Sequence, residues 1–433
     1  MANLTATRPP QPWTAPTATD PVSSTVRLPG SKSMTARALV LSAVAAGPST
    51  LYRPLRARDT ELMAGGLRAM GAHMSTVDDE RWLVRPRPLQ GPAHVDVGLA
   101  GTVMRFAPSV AGLAEGPVTF DGDPHARTRP LGPLVGALRS IGVRIDASPE
   151  GGLPLTVHGT GSVTGGEVVI DASASSQFVS GLLLAAPRFD RGVVVRHQGP
   201  PVPSAPHLRM TVQMLRAAGA GVDDTTPDVW VVEPGRLSGR GWEIEPDLSG
   251  AAPFFAAALI TGGTVTLLGW PRSSAQPVDR LRALLHQMGG EVTLGTDGLT
   301  VRGTGVVHGL AADLSDVSEL TPVLAALAAV ADSPSRLTGV AHIRGHETDR
   351  LAALGRELTG LGADVVETPD GLEIRPRPLH GGVFETYNDH RMAHAAAVIG
   401  LAVPGVNLSD VACTSKTLPE FPALWSAMVT GTS

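Results

Sequence analysis

Cysteine is almost absent: Cys413 is the only one in 433 residues. A single thiol excludes an internal disulfide and every metal site built from clustered cysteines, and it fits a reducing compartment, so a cytoplasmic location is expected. Aromatic residues are scarce, with 6 Trp, 2 Tyr and 8 Phe, which leaves the core to Ala, Val and Leu. No apolar run approaches the roughly 18 residues of a membrane span, and no membrane partner is expected. An excess of positive charge is lacking too. The 35 basic and 40 acidic side chains give a formal net charge of −5, so no global positive field draws the chain to nucleic acid or to an anionic membrane. Any anion site must be built locally. The first twenty residues hold no continuous apolar segment of roughly 7 to 15 residues, which argues against a secretory signal. Rich in Pro, Thr and Ala, residues 1–20 are expected to form a flexible N-terminal arm.

Glycine and proline, at 50 and 37 residues, are plentiful, a mix that favours many short elements joined by tight turns. The length suggests two or three domains. Nothing reads as a linker tens of residues long, so the boundary has to be sought in internal repetition. Five times a helical stretch ends at a glycine and runs into an extended segment: LRAMGAHM, LRSIGVRI, LRAAGAGV, LLHQMGGEV and ELTGLGADV. The glycines Gly71, Gly142, Gly219, Gly289 and Gly362 lie 71, 77, 70 and 73 residues apart, room for a complete supersecondary unit. A turn and a second apolar run follow, as in TLGTDGLTVRG, which predicts a helix C-cap glycine and then a hairpin. An Ala/Leu-rich helix with a polar N-terminus keeps the same period six times, from LPGSKSMTARALVLSAV to NDHRMAHAAAVIGLAV. The pattern predicts an α/β fold of six units, each strand, helix, strand, helix, then two strands, with three units to a domain and a crossing near GWEIEPDLSG. The expected division is residues 21–29 with 246–433 in one domain and residues 30–245 in the other.

Helix N-termini carry unpaired N–H groups and about half a positive charge, so a set of them suits an anion. Polar residues collect at the six starts. Lys32, Ser33 and Arg37 lie at the first, Gly101, Thr102 and Arg105 at the second, and Ser175, Ser176 and Gln177 at the third. Asp247 opens the fourth, Asp316 and Glu319 the fifth, and Asn388, Asp389, His390 and Arg391 the sixth. Helix capping accounts for Thr102 and Asp247. It does not account for Lys32, Arg37, Arg105 or Arg391, because the helix dipole repels a cation there; a bound anionic substrate would. GSKS lacks the earlier glycine of a P-loop, so nucleotide hydrolysis is disfavoured. His390 and His394 stand one turn apart without the glutamate of a zincin helix or a third ligand, so no metal is expected. No GxSxG elbow or Cys/His pairing suggests an acyl-enzyme.

The segments LPGSKSMTAR, GLAGTVMRF, GDPHARTRP, DASASSQF, DVSELTP, HETDRL and TYNDHRMAHA resemble, in order and over nearly the whole chain, the signatures of the 5-enolpyruvylshikimate-3-phosphate synthases. The resemblance implies two domains of three βαβαββ units, the inverse α/β barrel of the enolpyruvyl transferases, closing over phosphoenolpyruvate and shikimate 3-phosphate. It implies transfer of the carboxyvinyl group of phosphoenolpyruvate to the 5-hydroxyl of shikimate 3-phosphate with release of phosphate, in aromatic amino-acid biosynthesis. No metal or organic cofactor is implied, and a monomer is expected. By motif position, Glu319 matches the carboxylate base, Glu347 the carboxylate that moves a proton at the methylene carbon, and Lys32 the lysine that contacts both substrates and serves the acid chemistry. Phosphoenolpyruvate would meet Lys32, Gly101 and Arg129, together with Gln177, Arg350, Arg391 and Lys416. Shikimate 3-phosphate would meet Lys32, Ser33 and Arg37, then Ser175, Ser176, Gln177 and Ser204, and also Glu319, His342 and His346.

The match has departures. Glu319 stands where the family usually has Asp, Leu99 where many members have Asn, Phe106 where Pro often follows the arginine, and His207 where Tyr is common. His346 replaces the usual Lys and His342 the usual Asn. With cations in both halves of the chain, two positive faces are expected, repelling until an anion lies between them. The nearest alternative is the related transferase acting on UDP-N-acetylglucosamine, which usually places a reactive Cys or Asp in the loop corresponding to GDPHARTRP; no Cys is present there. A catalytically inactive anion-binding relative is the other, and it predicts no joint retention of Glu319 and Glu347 among cations.

Overall fold

The computed structural model describes residues 10–431 apart from residue 79. The chain divides into two compact units, one comprising the chain up to Pro29 and from Glu245 onward, the other Gly30–Ile244. The second repeat shows the plan. Strand Ala93–Asp96, helix Gly101–Ala111 and strand Glu115–Asp121 are followed by helix Gly132–Ser140 and the hairpin Arg144–Ala147 with Leu155–Thr160. Glu115–Asp121 pairs in parallel with Ala93–Asp96 and antiparallel with Leu155–Thr160. A parallel pair needs a crossover, which the Ala-rich helix supplies, whereas the antiparallel pair needs only a turn. Five four-stranded sheets keep this order. Gly71, Gly142, Gly219, Gly289 and Gly362 each sit two residues past a helix, at φ between +93° and +107°, where a side chain would be strained.

Helices Lys32–Ala43, Gly101–Ala111 and Ser176–Ala185 pack together in one unit, as do Leu248–Thr261, Thr321–Ala329 and His390–Ala402 in the other. All six are buried on nearly every side, as helices apolar all round must be, and their alanines let backbones approach without aromatic filling. Strands such as Arg81–Arg85 alternate buried and exposed residues, so the sheets cover the helices with one face and meet water with the other. At the crossings the opening strands are exchanged. Ser23–Val26 pairs with Thr264–Leu268 of the fourth repeat, and Gly241–Glu243 pairs with Ser49–Tyr52 of the first.

The sixth repeat differs. Its sheet joins Gly382–Phe384 in parallel to Val406–Leu408, and the third strand is Trp13–Thr14, antiparallel to Val406–Leu408. The expectation of a flexible arm over residues 1–20 is therefore corrected for its latter part; residues 1–9 lie outside the described residues. Trp13–Thr14 forms the edge of this sheet beside Val406–Leu408, with Ala15 buried behind it. Capping by Thr102 is corrected as well: helix Gly101–Ala111 is entered from Ala100, and the buried Thr102 Oγ1 has no hydrogen bond among the described residues. Asp247 does cap its helix, accepting from the Gly250 N–H.

Candidate active site

In the unit Gly30–Ile244 the predicted residues sit at three helix starts. Ser31 caps Lys32–Ala43, so Lys32 and Ser33 are its first residues; Ser175 caps Ser176–Ala185 by accepting from the Gln177 N–H. Arg37, 1% exposed, donates to Thr211 Oγ1 (2.7 Å), the Ser33 carbonyl (3.0 Å), the His207 carbonyl (3.1 Å) and Ser180 Oγ (3.3 Å). It also lies over the Phe106 ring. Every one of these partners is neutral. Burial pushes the Arg37 pKa down to about 9, a desolvation cost that an incoming anion would relieve. Two positions that depart from the family pattern, Phe106 and His207, thus both hold Arg37.

Arg105 donates to Gln177 Oε1 at 3.0 Å and stacks over Phe178, while Arg129 donates to the Leu99 carbonyl at 3.0 Å. A Cβ at Gly101 would lie 2.9 Å from Arg105 Nη1 and 3.1 Å from Arg129 Nη2, so only glycine lets both guanidiniums close on this backbone. Arg129 Nε is buried without a hydrogen-bond partner among the described residues. Lys32 Nζ pairs with the buried Asp59 at 3.3 Å. Ser204, which opens helix Ala205–Ala217, is left-handed at φ 55°, a strain of order 1 kcal/mol that points to a functional constraint.

In the other unit one guanidinium organises everything. The buried Arg350 donates through Nε to Asp389 Oδ2 (2.8 Å), through Nη1 to Glu319 Oε2 (3.1 Å) and His346 Nδ1 (3.0 Å), and through Nη2 to Glu347 Oε2 (2.8 Å) and Asp389 Oδ1 (3.2 Å). All five of its N–H donors are engaged. Arg391 Nε reaches the same Glu319 Oε2 at 2.9 Å and its Nη2 reaches Ser249 Oγ at 2.6 Å; Lys416 Nζ bonds Glu347 Oε1. Asp389 caps helix His390–Ala402 after a turn in which Tyr387 and Asn388 are both left-handed.

The electrostatics follow from this geometry. Burial opposes ionisation of Glu319, yet Arg350 and Arg391 outweigh it and hold the carboxyl well below the usual carboxylate range. A guanidinium can only donate, so His346 Nδ1 is the acceptor in this pair. The same Nδ1 lies 3.8 Å from Glu319 Oε1. Burial lowers the His342 pKa below its usual value, and its Nε2 is buried without a hydrogen bond among the described residues.

Glu319, His342, His346, Glu347, Arg350, Arg391 and Lys416 are therefore brought into one unit. Lys32, Ser33, Arg37, Gly101, Arg129, Ser175, Ser176, Gln177 and Ser204 lie in the other. The expectation of two positive faces is corrected: Arg350, Arg391 and Lys416 are already matched by Glu319, Glu347 and Asp389. Asp389 was read from sequence only as part of a polar helix start, because a cap accounts for an aspartate there. Its carboxylate also holds Arg350 twice. Ser180 and Thr211, the hydroxyl supports of Arg37, carry no signal in the sequence. Composition does carry one: only two of the 35 basic residues are lysines, Lys32 and Lys416, and both occupy this candidate machinery. Unlike a guanidinium, an ammonium can surrender a proton when its surroundings demand it.

Two solved EPSP synthase structures from Acinetobacter baumannii share this architecture. Each is 24% identical to this chain and covers 96% of it and 98% of its own length, with TM-scores of 0.81 and 0.80. The fold is thus the one those two structures have. Residues 16–425 match the family described as EPSP synthase (3-phosphoshikimate 1-carboxyvinyltransferase), and the chain belongs to that family. It transfers the carboxyvinyl group of phosphoenolpyruvate to the 5-hydroxyl of shikimate 3-phosphate with release of phosphate, a step of aromatic amino-acid biosynthesis; the UDP-N-acetylglucosamine alternative is not favoured. Among the described residues no helix is long and apolar enough to cross a membrane.

Proposed function

We propose that the reaction is divided between the two sets of side chains, anion binding resting chiefly on the unit Gly30–Ile244 and proton transfer on Glu319 and Glu347 with Lys32. The contrast in counter-charge carries this reading: Arg37 and Arg129 are buried against neutral oxygens, whereas Arg350 is saturated by three carboxylates and a histidine. Phosphoenolpyruvate is assigned to Lys32, the Gly101 backbone, Arg129 and Gln177, with Arg350, Arg391 and Lys416. Shikimate 3-phosphate is assigned to Lys32, Ser33, Arg37, Ser175, Ser176, Gln177 and Ser204, with Glu319, His342 and His346.

In the addition, Glu319 accepts the 5-hydroxyl proton as that oxygen bonds to C2 of phosphoenolpyruvate, and the acid chemistry of Lys32 and Glu347 supplies a proton to C3. In the elimination, C3 returns a proton to Glu347 while the C2–O bond to phosphate breaks and the double bond re-forms. Held well below the usual range, Glu319 is a weak base while both arginines grip it. Substrate anions bound to Arg350 and Arg391 would draw off part of that positive field and raise the Glu319 pKa toward its task. Because all five Arg350 donors are engaged, phosphoenolpyruvate must displace a protein acceptor to reach it. The test is phosphate release with each substrate alone and with both, in the wild type and in Glu319→Gln. Release only from the pair, strongly reduced in the variant, is expected; release from phosphoenolpyruvate alone would sink the proposal.

A further inference from the structure

The sixth repeat borrows its third strand from the other end of the chain. Trp13 and Thr14 pair with Leu408 and Asn407, the Ala15 N–H reaches the Val406 carbonyl at 2.9 Å, and Thr14 Oγ1 donates to Asn407 Oδ1 at 2.6 Å. Trp13 also meets the Phe421 ring edge-on, with centroids 6.5 Å apart. Just ahead of this strand the segment makes contacts that a repeat hairpin has no need to make. The Gln11 N–H donates to Asp410 Oδ1 at 3.0 Å, and the Gln11 carbonyl accepts from the Val411 N–H at 2.9 Å. Asp410 Oδ1 accepts in addition from the Ala412 N–H at 2.8 Å, the first residue of the 3₁₀ turn Ala412–Lys416.

We propose that Gln11–Ala15 is a strap that positions Lys416. A single 3₁₀ turn has few internal bonds, so its orientation depends on where its first residue is anchored. Here the anchor is double: Asp410 ties the turn to Gln11, and Val411, whose carbonyl accepts from Thr414 Oγ1 and the Thr414 N–H, ties it again. At the far end of the turn the Lys416 side chain is buried and its ammonium meets Glu347. Little slack remains between the strap and that contact. Gln11, Asp410 and Val411 are positioning residues, and the inference rests on the assignment of Lys416 to phosphoenolpyruvate.

Gln11→Pro removes the N–H that Asp410 accepts, while Gln11→Ala keeps both backbone bonds. The proline variant of the full-length enzyme is expected to raise KM for phosphoenolpyruvate about tenfold, the loss of one charge-assisted bond's worth of positioning, and the alanine variant to leave it unchanged. Asp410→Ala should reproduce the proline effect and Asp410→Asn, which keeps an acceptor oxygen, should largely rescue it; KM for shikimate 3-phosphate should stay within about twofold throughout. A double variant Gln11→Pro with Lys416→Ala should be no worse than Lys416→Ala alone, since both act through one group. If Lys416→Ala raises KM for phosphoenolpyruvate but neither Gln11→Pro nor Asp410→Ala does, the strap is refuted and the Lys416 assignment stands. An additive double variant refutes the strap as well. If Lys416→Ala itself leaves that KM unchanged, the assignment of Lys416 fails, and the strap falls with it.

Discussion

Arg37 and Arg350 are both buried guanidiniums near helix starts, and their surroundings treat the charge in opposite ways. Arg37 bonds to hydroxyls and carbonyls alone, and burial pulls its pKa down to about 9. Arg350 is ringed by Glu319, Glu347 and Asp389, which hold its charge firmly. A buried cation without a counter-charge is poised for an anion from outside, whereas one with three carboxylates fixes those carboxylates in place. On the proposed division the first would serve chiefly binding and the second chiefly orientation, a distinction that a count of basic residues would miss.

The contrast breaks most sharply by removing each arginine in turn. Arg350→Met leaves the buried Asp389 and the part-buried Glu319 and Glu347 without their common partner and should destabilise the fold by about 3–5 kcal/mol. Arg37→Met removes a charge that no carboxylate among the described residues matches, so a denaturation midpoint close to wild type is expected, with weakened shikimate 3-phosphate binding. Equal losses of stability in chemical denaturation would erase the distinction. Next in size is Glu319→Gln, which keeps the shape of the carboxylate but cannot take the hydroxyl proton. Its kcat should fall roughly 10²-fold or more with KM little changed; turnover within a few-fold of wild type in steady-state assays would remove Glu319 as the base.

A smaller effect separates the units by pH. His394 is fully buried against Phe421, and desolvation lowers its pKa to about 3, below the ordinary 6.5. The unfolded chain then binds the extra proton between pH 6.5 and 3, so this contribution to stability is complete above pH 6.5 and is lost as pH falls toward 3. The slope is at most about 1.4 kcal/mol per pH unit. Melting curves across this range should flatten in His394→Phe; an unchanged acid limb would exclude His394 as its source. Smallest is Gly101→Ala, whose Cβ would crowd Arg105 and Arg129. KM for phosphoenolpyruvate should rise roughly tenfold with kcat largely retained, the loss of about one charge-assisted bond. An unchanged KM would mean that the two guanidiniums do not converge there to bind.

The repeat and its punctuation were legible because they rest on local chemistry: five glycines at positive φ, and helices apolar on every side. Trp13–Thr14 was not, since a two-residue strand among prolines has no periodicity and its partner lies near residue 407. The exchange of opening strands at the crossings is likewise a long-range pairing. In the site, motif positions led to Lys32, Glu319, Glu347 and Arg350, and the i,i+3 spacing of Glu347 and Arg350 suits the ion pair they form, but nothing local tied Glu319 and Asp389 to the same guanidinium. That pairing joins carboxylates at 319, 347 and 389 through one side chain. Arg37 reads from sequence as a helix-start cation that calls for an anion, but its burial against Ser180, Thr211 and the His207 carbonyl is a long-range arrangement that no motif spells out.

The division of labour can be isolated in the Glu319→Gln, Glu347→Gln double variant, by titrating phosphoenolpyruvate calorimetrically in saturating shikimate 3-phosphate. If the carboxylates orient groups and move protons while the anions are bound by cations, the double variant should turn over negligibly yet bind phosphoenolpyruvate as tightly as the wild type or more tightly, because two competitors for Arg350, Arg391 and Lys416 have lost their charge. A dissociation constant that rises in step with the loss of turnover would contradict it, and would make the carboxylates part of the phosphoenolpyruvate site.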